Sequence, residues 1–385
     1  MRILEVSYKD PECHCGGVED FILNLIVNMS SMGHQITCLY SQDSYPNTSG
    51  ADYRKVNILP KKKPVGPILS LLYKITYNVG VLLYVIKNRK QIDGIHINGD
   101  NGVLLAPFFG RESVATFFGL PILRVRDTFS DSKSLKKYPL LLLSVIYTLL
   151  HFSSLLYSRV VVADNPQILG ILRRFRKPDE VKLVYNSVDT KSFKQIKTED
   201  KLLLRKELKL DPAGIYAIWI GNDAKGYGQD VAFSIALKHK DKLRLISVGA
   251  HSNIESGNII QLGRIDHKTL SKYFGASDFM IFPQRYPGIS LSMVSAMVSG
   301  LKVVTFSKYL KDFFTDDNII FADSPNDMDH KVADILRNPK MLVTDNDTAD
   351  PILKEFHPHY CAQRYIELFS DLKRVEHGEI HGIRT

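Results

Sequence analysis

The stretch PQRYPGISLSMVSAMVSGLKVV, residues 283–304, decides the fold class. It begins at the end of an apolar run, DFMIFP at 278–283, which has the length of one strand. A tight turn containing Pro287 and Gly288 follows, then a helical stretch, and then a second strand, KVVTF at 302–306. Two strands joined through a helix pair in parallel. The stretch therefore predicts an α/β fold in which helices cover a parallel sheet.

The same alternation of short β-rich runs and longer helical patterns extends along the chain. In the first half, strands are predicted at 3–7, 35–40, 94–98, 121–127, 159–164 and 181–186. In the second half, they are predicted at 215–221, 243–249, 258–263, 278–283, 302–306 and 318–323. A charged stretch poor in apolar residues, 190–206, separates the two halves. We therefore expect two Rossmann-like, doubly wound domains with a linker near 187–210 and a ligand cleft between them.

Composition restricts the class of partner. The chain has 50 basic and 41 acidic residues, a net charge of +9, which favours anionic partners such as phosphates, nucleotides or anionic lipids. A uniformly solvated basic surface is the common alternative. It has no arginine-rich tract interleaved with aromatic residues, so we expect no nucleic acid partner. The sparse cysteines predict a reducing, cytoplasmic setting. Cys13-His14-Cys15 lacks the two-residue spacing and the second ligand pair of a metal site, so we expect no metal.

Two helical stretches of the first half combine apolar and basic residues. Residues 139–157 are nineteen residues without formal charge, and three lysines lie just before them, within 133–157. The stretch 61–86 begins with three lysines and continues into a second apolar helix. The length of 139–157 alone would permit a membrane span, but its serines, threonine and histidine favour a buried or surface helix. Both helices could simply cover a sheet, yet the basic clusters favour peripheral contact with the inner membrane face.

Three strand-to-helix turns have the character of phosphate-binding turns. Gly16-Gly17 precedes the first helix, and the turn IGNDAKGYGQD at 220–230 combines glycines with Lys225. The third turn, at 288–291, begins the helix of the opening stretch. Glycine lets a phosphate approach the backbone, and a helix start offers unpaired N–H groups. Each turn alone could serve chain geometry only, but together they predict a nucleotide diphosphate as ligand.

At this point the chain resembles a family. It is similar to the retaining, nucleotide-sugar-dependent glycosyltransferases of family 4, which have the two-domain GT-B fold. The resemblance covers nearly the whole length, in five blocks that occur in the right order. These blocks are GGVEDFILNLIVNMSSMGHQIT (16–37), VYNSVDTKSF (184–193), IGNDAKGYGQDVAFSIA (220–236), the block LGRIDHKTLSKYFGASDFMIFPQRYPGISLSMVSAMVSGLKVV (262–304) and HPHYCAQRYIELFSDL (357–372).

The resemblance implies a division of labour. Residues 1–187 would form an acceptor-binding domain, 188–355 a nucleotide-sugar-binding domain, and 356–385 a final helix that crosses back to the first domain. The reaction implied is transfer of a hexose-like sugar to a glycan or lipid-linked acceptor, in polysaccharide or glycoconjugate biosynthesis. The donor would be a nucleotide-diphosphate sugar, with UDP favoured over GDP, and no other cofactor is expected.

Site residues follow from the resemblance, position by position. Lys225 lies in the turn whose basic residues bind the donor diphosphate, which makes it the first catalytic candidate. Asn222 and Tyr227 stand where relatives have basic residues. The backbone of 289–291 would hold phosphate and sugar. The full set of implied donor-binding residues is Gly16, Gly17, Asn186, Gly221, Asn222, Lys225, Arg264, Gly288, Ile289, Ser290, Leu291 and Ser295.

Two replacements put activity in question. The family has two glutamates separated by seven residues, and Pro287 and Ser295 stand at these positions. A carboxylate that accepts ribose hydroxyl bonds contributes about 1.5–3 kcal/mol per bond, against roughly 1 kcal/mol for a neutral serine. The family's histidine also has no counterpart. A non-catalytic or partner-dependent scaffold is therefore the alternative function, and a sugar-nucleotide epimerase of the same fold is a third reading.

Polar residues that follow strands of the first half are candidates for the acceptor side. Asp100 and Asp127 are predicted to act as acceptor-orienting bases. His96, Asn98 and Arg126 are predicted to contact the acceptor. The alternative for these positions is ordinary capping and turn chemistry.

Overall fold

The protein is described as a computed structural model that covers most of the chain. The described residues are 1–13, 16–41, 45–56, 67–119, 138–221, 226–285, 289–307, 310–311, 314, 318–342 and 351–376. The chain divides into two compact units, one formed by Met1–Asn186 with Pro358–Thr385 and the other by Ser187–His357. The sequence prediction placed these boundaries after residues 187 and 355. Each unit is a parallel α/β domain, which confirms the predicted fold class.

The first unit is built on one parallel sheet. Its strands are β1 (Arg2–Val6), β2 (Gln35–Tyr40), β3 (Asp52–Lys55), β4 (Gly94–Asn98), β5 (Ser113–Phe117), β6 (Val160–Ala163) and β7 (Val181–Leu183). They lie in the order β3-β2-β1-β4-β5-β6-β7. Its first helices are α1 (Gly17–Ser31), α2 (Pro67–Asn88), α3 (Ala106–Phe109), α4 (Tyr138–Tyr157) and α5 (Pro166–Leu172). Short 3-10 helices lie at Pro11–Cys13, Arg89–Gln91, Gly110–Glu112 and Pro178–Glu180.

The second unit repeats this architecture. Its strands are β8 (Ile215–Gly221), β9 (Leu243–Gly249), β10 (Ile259–Gly263), β11 (Phe279–Ile281), β12 (Lys302–Thr305) and β13 (Ile319–Phe321). They form a parallel sheet in the order β10-β9-β8-β11-β12-β13. Its helices are α6 (Thr198–Glu207), α7 (Gln229–Lys238), α8 (His267–Ala276), α9 (Leu291–Val298) and α10 (Pro325–Arg337). Two 3-10 helices lie at Pro339–Leu342 and Pro351–Phe356.

The last helix, α11 (Pro358–Glu376), belongs to the first unit. It packs beside α1 on one face of the first sheet, where Tyr365 and Phe21 approach with ring centroids 5.8 Å apart. The other face is covered by α2 and α4 through buried residues such as Tyr77 and Leu155. Side chains alternate between the two faces along each strand, so that Ile3 and Leu4 enter different cores.

The sequence analysis did not predict two strands of the first sheet, β3 and β5. β5 reads SVATF and is buried throughout, but its serine and threonine interrupt the apolar run that would have marked it. β3 reads DYRK, an edge strand whose exposed residues are charged, so it carries no apolar pattern at all. The strand predicted at 121–127 lies outside the described residues.

The contact between α11 and β4 leaves no room for a side chain at Gly94. A Cβ added to Gly94 would lie 2.6 Å from the Phe369 ring, and this ring is buried. We therefore expect Gly94→Ala to destabilise the first unit by about 1–3 kcal/mol through overpacking. The measurement is the urea unfolding midpoint, followed by circular dichroism.

Gly170→Ala is the matched control for this substitution. Gly170 lies in α5 with no atom within 4 Å of an added Cβ, so alanine should be neutral or stabilise the helix by up to about 1 kcal/mol. Equal midpoints for the two variants would contradict the packing of α11 on β4.

Candidate functional site

The site is best defined at one edge of the second sheet. The strand order changes direction between β8 and β11. The next strands along the chain, β9 and β10, lie on one side of β8, whereas β11 pairs with β8 on the other side. In doubly wound sheets, ligands bind outside the carboxyl ends of the strands at such a switch point. The segments that leave β8 and β11 here lead to the starts of α7 and α9. Two helix N-termini therefore lie at this edge of the sheet.

Main-chain atoms approach closely at the described part of this edge. Gly249 has φ of +100°, and a Cβ added to it would lie 2.3 Å from the carbonyl oxygen of Gly221. Gly228, at φ +71°, is equally tight, because its Cβ would lie 2.3 Å from the carbonyl oxygen of Pro283. The N–H of Ala250 also donates to Gly221 O at 2.7 Å. The ends of β8, β9 and β11 are thus held together at main-chain contact distance.

An ion pair that the sequence analysis did not single out lies beside this edge. The Arg285 guanidinium donates to both carboxylate oxygens of Asp230, at 3.0 and 2.8 Å, and both side chains are exposed. This contact lowers the pKa of Asp230. The N–H of Arg285 donates to Gly226 O at 3.0 Å, so it also joins the segment after β11 to the turn after β8. Arg285 was visible as a cation within the opening stretch, but its partner is 55 residues away.

The predicted donor-binding residues of the second unit differ in where they lie. Ile289, Ser290 and Leu291 do lie at the start of α9, where Ser290 is the N-cap residue and its hydroxyl approaches Ser292 Oγ at 2.8 Å. Arg264 is exposed just after β10. Ser295 lies inside α9 with 5% of its area exposed. The predicted residues Asn222, Lys225 and Gly288, with the replaced position Pro287, lie outside the described residues.

In the first unit, the corresponding edge lies between β1 and β4, where its strand order changes direction. Gly16 is the N-cap residue of α1 and Gly17 is its first residue. Glu19 and Asp20 occupy the first turn, and a Cβ on Gly16 would lie 2.9 Å from Glu19 Oε2. These carboxylates already complement the positive end of the helix. They weaken the attraction of this helix start for a phosphate.

The structure buries His96 and Asn98, the two residues of β4 that are predicted to contact the acceptor, inside the first unit. Both side chains have 0% of their area exposed. His96 Nδ1 lies 2.9 Å from Glu5 Oε2, and His96 Nε2 lies 2.8 Å from Thr116 Oγ1. Thr116 Oγ1 in turn lies 2.7 Å from the hydroxyl of Tyr365. Asn98 Nδ2 donates to Glu5 Oε2 at 3.0 Å. Both residues therefore belong to a buried polar chain inside the first unit.

The other predicted acceptor residues are only partly described. Asp100 follows β4 and is partly exposed, and its carboxylate lies 2.5 Å from Lys74 Nζ on α2. The carboxylate of this predicted base is therefore engaged in an ion pair. Arg126 and Asp127 lie outside the described residues, as do His14 and Cys15. Among the residues that the structure describes, no three His, Cys, Asp or Glu side chains lie together in a way that could hold a metal ion.

Asp164 is a candidate that the sequence analysis missed. It directly follows β6, where Asn165 Nδ2 donates to Asp164 Oδ1 at 2.6 Å and Asn186 Nδ2 donates to Oδ2 at 3.3 Å. Burial raises the pKa of Asp164 to about 7. Asn186, a predicted donor-binding residue, is thus held by Asp164, and in the described part its Oδ1 is buried without a hydrogen-bond donor. The sequence placed Asp164 at the end of a predicted strand, which was the available signal.

The first unit also carries an apolar surface on two helices. On α2, side chains at helical spacing are exposed: Leu69, Leu72, Leu83 and Ile86. On α4, the exposed stripe consists of Val145, Leu149 and Leu156, and 65% of the area of Leu149 is exposed. The two helices pack against each other. Within the described residues, no helix is long and apolar enough to cross a bilayer.

Two family models match the chain. The model of Glycosyltransferase Family 4 matches residues 15–192, which lie almost wholly in the first unit. The model of Glycosyl transferases group 1 matches residues 218–338, inside the second unit. A curated relative, an uncharacterized 41.2 kDa protein in the cps region of Klebsiella pneumoniae, is 25% identical over 132 residues. That alignment spans 33% of this chain and 36% of the relative's length.

Solved structures share the fold over nearly the whole chain. Sucrose-phosphate synthase from Thermosynechococcus elongatus superimposes with a TM-score of 0.79 at 16% identity, covering 97% of this chain and 100% of its own. Anabaena HepE in complex with UDP-glucose superimposes with a TM-score of 0.71 at 14% identity, covering 96% of this chain and 100% of its own. At these identities the likeness shows the fold.

The raised pKa of Asp164 predicts that the unfolding free energy of the protein depends on pH. Because its pKa is about 7 in the folded state and about 3.9 when unfolded, the folded state holds this proton more tightly. The resulting stability is fully present below about pH 4 and is lost as the pH rises through 7. Relative to Asp164→Asn, the wild type should therefore lose roughly 2–3 kcal/mol of unfolding free energy between pH 5 and pH 8. Urea titrations of both proteins across this range measure the difference.

Asp266→Asn is the control for the pH series. Asp266 caps α8, and its hydrogen bonds with Thr269 lower its pKa, so its contribution is lost only as the pH falls below its usual range. Between pH 5 and pH 8 this variant should differ from wild type by a constant amount. A constant difference for Asp164→Asn as well would sink the assignment of an elevated pKa.

Proposed function

The chain belongs to the glycosyltransferases of family 4 and group 1, nucleotide-sugar-dependent enzymes of the GT-B fold, and on that premise we propose its reaction. It transfers a hexose-like sugar, with retention of configuration, from a nucleotide-diphosphate sugar to a glycan or lipid-linked acceptor. The reaction takes place at the cytoplasmic face of the membrane, in polysaccharide or glycoconjugate biosynthesis. UDP is favoured over GDP, and the Anabaena neighbour of the same fold holds UDP-glucose.

The observation that carries this proposal is the edge between β8 and β11. Main-chain contacts of Gly221, Gly228 and Gly249 bring the turn after β8 against the segment that leads to α9. The start of α9 offers N–H groups that no helical carbonyl can accept, and the Ser290 hydroxyl forms no cap to them. A diphosphate is the ligand that such a helix start stabilises.

The chemistry required of the protein is mainly electrostatic. The bond between the anomeric carbon and the diphosphate oxygen breaks, and the diphosphate leaves with the electron pair. The acceptor hydroxyl oxygen bonds to the same face of the anomeric carbon, and its proton passes to an oxygen of the leaving diphosphate. Lys225 and the amides at the start of α9 stabilise the charge that develops on this group. Asp100 and Asp127 orient the acceptor, and no protein nucleophile is needed.

Peripheral membrane contact is part of the proposal. The exposed leucines and isoleucine of α2 and the exposed stripe of α4 lie on two helices of the first unit that contact each other. Apolar residues on a basic protein favour an anionic leaflet, where both burial and charge contribute. The contact surface is the one predicted for 61–86 and 133–157, of which residues 61–66 and 133–137 lie outside the described residues.

The alternative function is a scaffold that retains the fold without catalysis. It is motivated by Pro287 and Ser295 at the positions of the two family glutamates. Ser295 is nearly buried in α9, and a serine there offers a ribose only a neutral partner. The two functions differ in whether the protein binds a nucleotide sugar.

A panel of nucleotides separates the two functions. UDP, GDP, ADP and their glucose conjugates are each added to the protein, and the unfolding temperature is measured. A ligand at 100 times its dissociation constant should stabilise the protein by about 2.7 kcal/mol, which corresponds to a rise of about 5–10 °C in a domain of this size. A rise with one base identifies the donor nucleotide. No rise with any of them would favour the scaffold.

Lys225→Ala tests the proposed diphosphate site within that panel. Removing the cation should weaken binding of the active nucleoside diphosphate by about tenfold or more, since a charged hydrogen bond contributes about 1.5–3 kcal/mol. Binding of the bare nucleoside should not change, because it lacks the diphosphate. Isothermal titration with both ligands measures the ratio.

Arg285→Ala and Arg244→Ala complete this test as a matched pair. Arg244 forms an ion pair with Asp211 at 2.7 Å, and both side chains are exposed, as in the pair of Arg285 with Asp230. Arg244 lies near the amino end of β9, away from the proposed site, so Arg244→Ala should leave binding of the nucleoside diphosphate unchanged. Arg285→Ala should weaken binding of the nucleoside diphosphate and leave binding of the bare nucleoside unchanged. Equal effects of the two substitutions would remove Arg285 from the site.

A further inference from the structure

A basic segment follows α5 in the first unit and presents most of its side chains to solvent. Residues 173–177 read RRFRK, and Arg173, Arg174, Phe175 and Lys177 are exposed. Half of the Phe175 side chain area is exposed, at 50%. The segment therefore combines exposed positive charge with a half-exposed aromatic ring.

The fourth cation of the segment points the other way. Arg176 Nη1 donates to the carbonyl oxygens of Leu155, Leu156 and Ser158, at 2.6, 3.0 and 2.9 Å. Leu155 and Leu156 lie in the last turn of α4 and Ser158 directly follows it, and carbonyls at a helix end lack helical partners. Arg176 Nε also donates to Glu180 at 2.8 Å. Arg176 therefore fastens the segment to the C-terminus of α4.

Phe175 continues the apolar stripe of α4. Its ring packs edge-on against Phe152 of that helix, with centroids 5.2 Å apart and an interplanar angle of 83°. Leu156 and Tyr157, in the last turn of α4, are exposed as well. The apolar stripe thus ends at a cluster of three outward cations and a half-exposed aromatic ring.

We propose that the segment 173–177 binds the anionic headgroups of a membrane leaflet while Phe175 enters its interface beside α4. This inference rests on the membrane-face part of the proposed function and identifies the residues that recognise the lipid. Over residues 173–180 four cations stand against Asp179 and Glu180, a net charge of +2, and Glu180 is paired with Arg176. A bilayer surface can bind both features, because anionic headgroups attract the cations and the apolar stripe is buried at the interface.

Vesicle binding tests the segment against a matched control. The partition of the full chain is measured by cosedimentation with vesicles of phosphatidylcholine alone, and of phosphatidylcholine with 30 mol% phosphatidylglycerol, at about 0.15 M salt. The variant Arg173→Gln/Arg174→Gln/Lys177→Gln should bind the anionic vesicles roughly a hundredfold more weakly. Lys191→Gln/Lys194→Gln/Lys197→Gln removes the same charge from three exposed lysines of the second unit and should bind within about threefold of wild type.

The aromatic contribution has its own pair of variants. Phe175→Ser should weaken binding to both vesicle compositions by several-fold, because the apolar contribution does not depend on lipid charge. Leu203→Ser removes an apolar side chain that is 63% exposed on α6, and it should leave binding unchanged. Arg173→Lys/Arg174→Lys keeps the charge and should retain binding. The substituted cations and Leu203 are exposed, so the unfolding temperatures of those variants should match wild type.

The outcomes separate this inference from the proposed function. Wild type that binds neither vesicle overturns the inference together with the membrane part of the proposed function, while the nucleotide panel still decides transferase against scaffold. Anionic binding that falls equally in both triple variants shows a general charge effect and overturns the inference alone. Release of the protein by 10 mM inorganic phosphate at constant ionic strength would instead indicate a free-phosphate site, and would overturn it as well.

Discussion

The first unit depends on satisfying one buried carboxylate. Glu5 lies on β1, an internal strand of the sheet, with no exposed area, and His96 and Asn98 from the neighbouring strand supply its polar contacts. A carboxyl group buried at this depth without hydrogen-bond partners is costly, so these contacts favour the observed register of β1 with β4. From His96 the contacts continue through Thr116 to Tyr365. The same chain therefore seats the C-terminal helix on the sheet.

The two units have the same parallel α/β architecture, but different groups make their close polar contacts. In the first, side chains from distant elements meet in a polar core. In the second, glycine backbones meet at the edge where β8 and β11 end. A ligand held by main-chain groups is less sensitive to side-chain replacement. In the proposed function, donor binding therefore depends more on main-chain groups than on the residues that replace the family glutamates.

Helices α2 and α4 contribute both to the core of the first unit and to its proposed membrane surface. α2 and α4 bury one side against the sheet and expose apolar residues on the other. Arg176 uses the unpaired carbonyls at the end of α4 and so holds its neighbouring cations outward. Capping a helix and presenting a basic cluster are thus accomplished by one short segment. The proposed acceptor domain and the proposed membrane surface belong to the same unit.

The sequence by itself determined the fold class, most strands, and the turns between strand and helix, because apolar periodicity and glycine placement are local properties. It could not reveal β3 or β5, whose residues lack an apolar run. Only the tertiary structure decided that His96 and Asn98 are internal, that Arg285 meets Asp230, and that Asp164 holds Asn186. Burial and pairing depend on contacts between distant positions, such as Thr116 and Tyr365, which are 249 residues apart. No local pattern encodes such a distance.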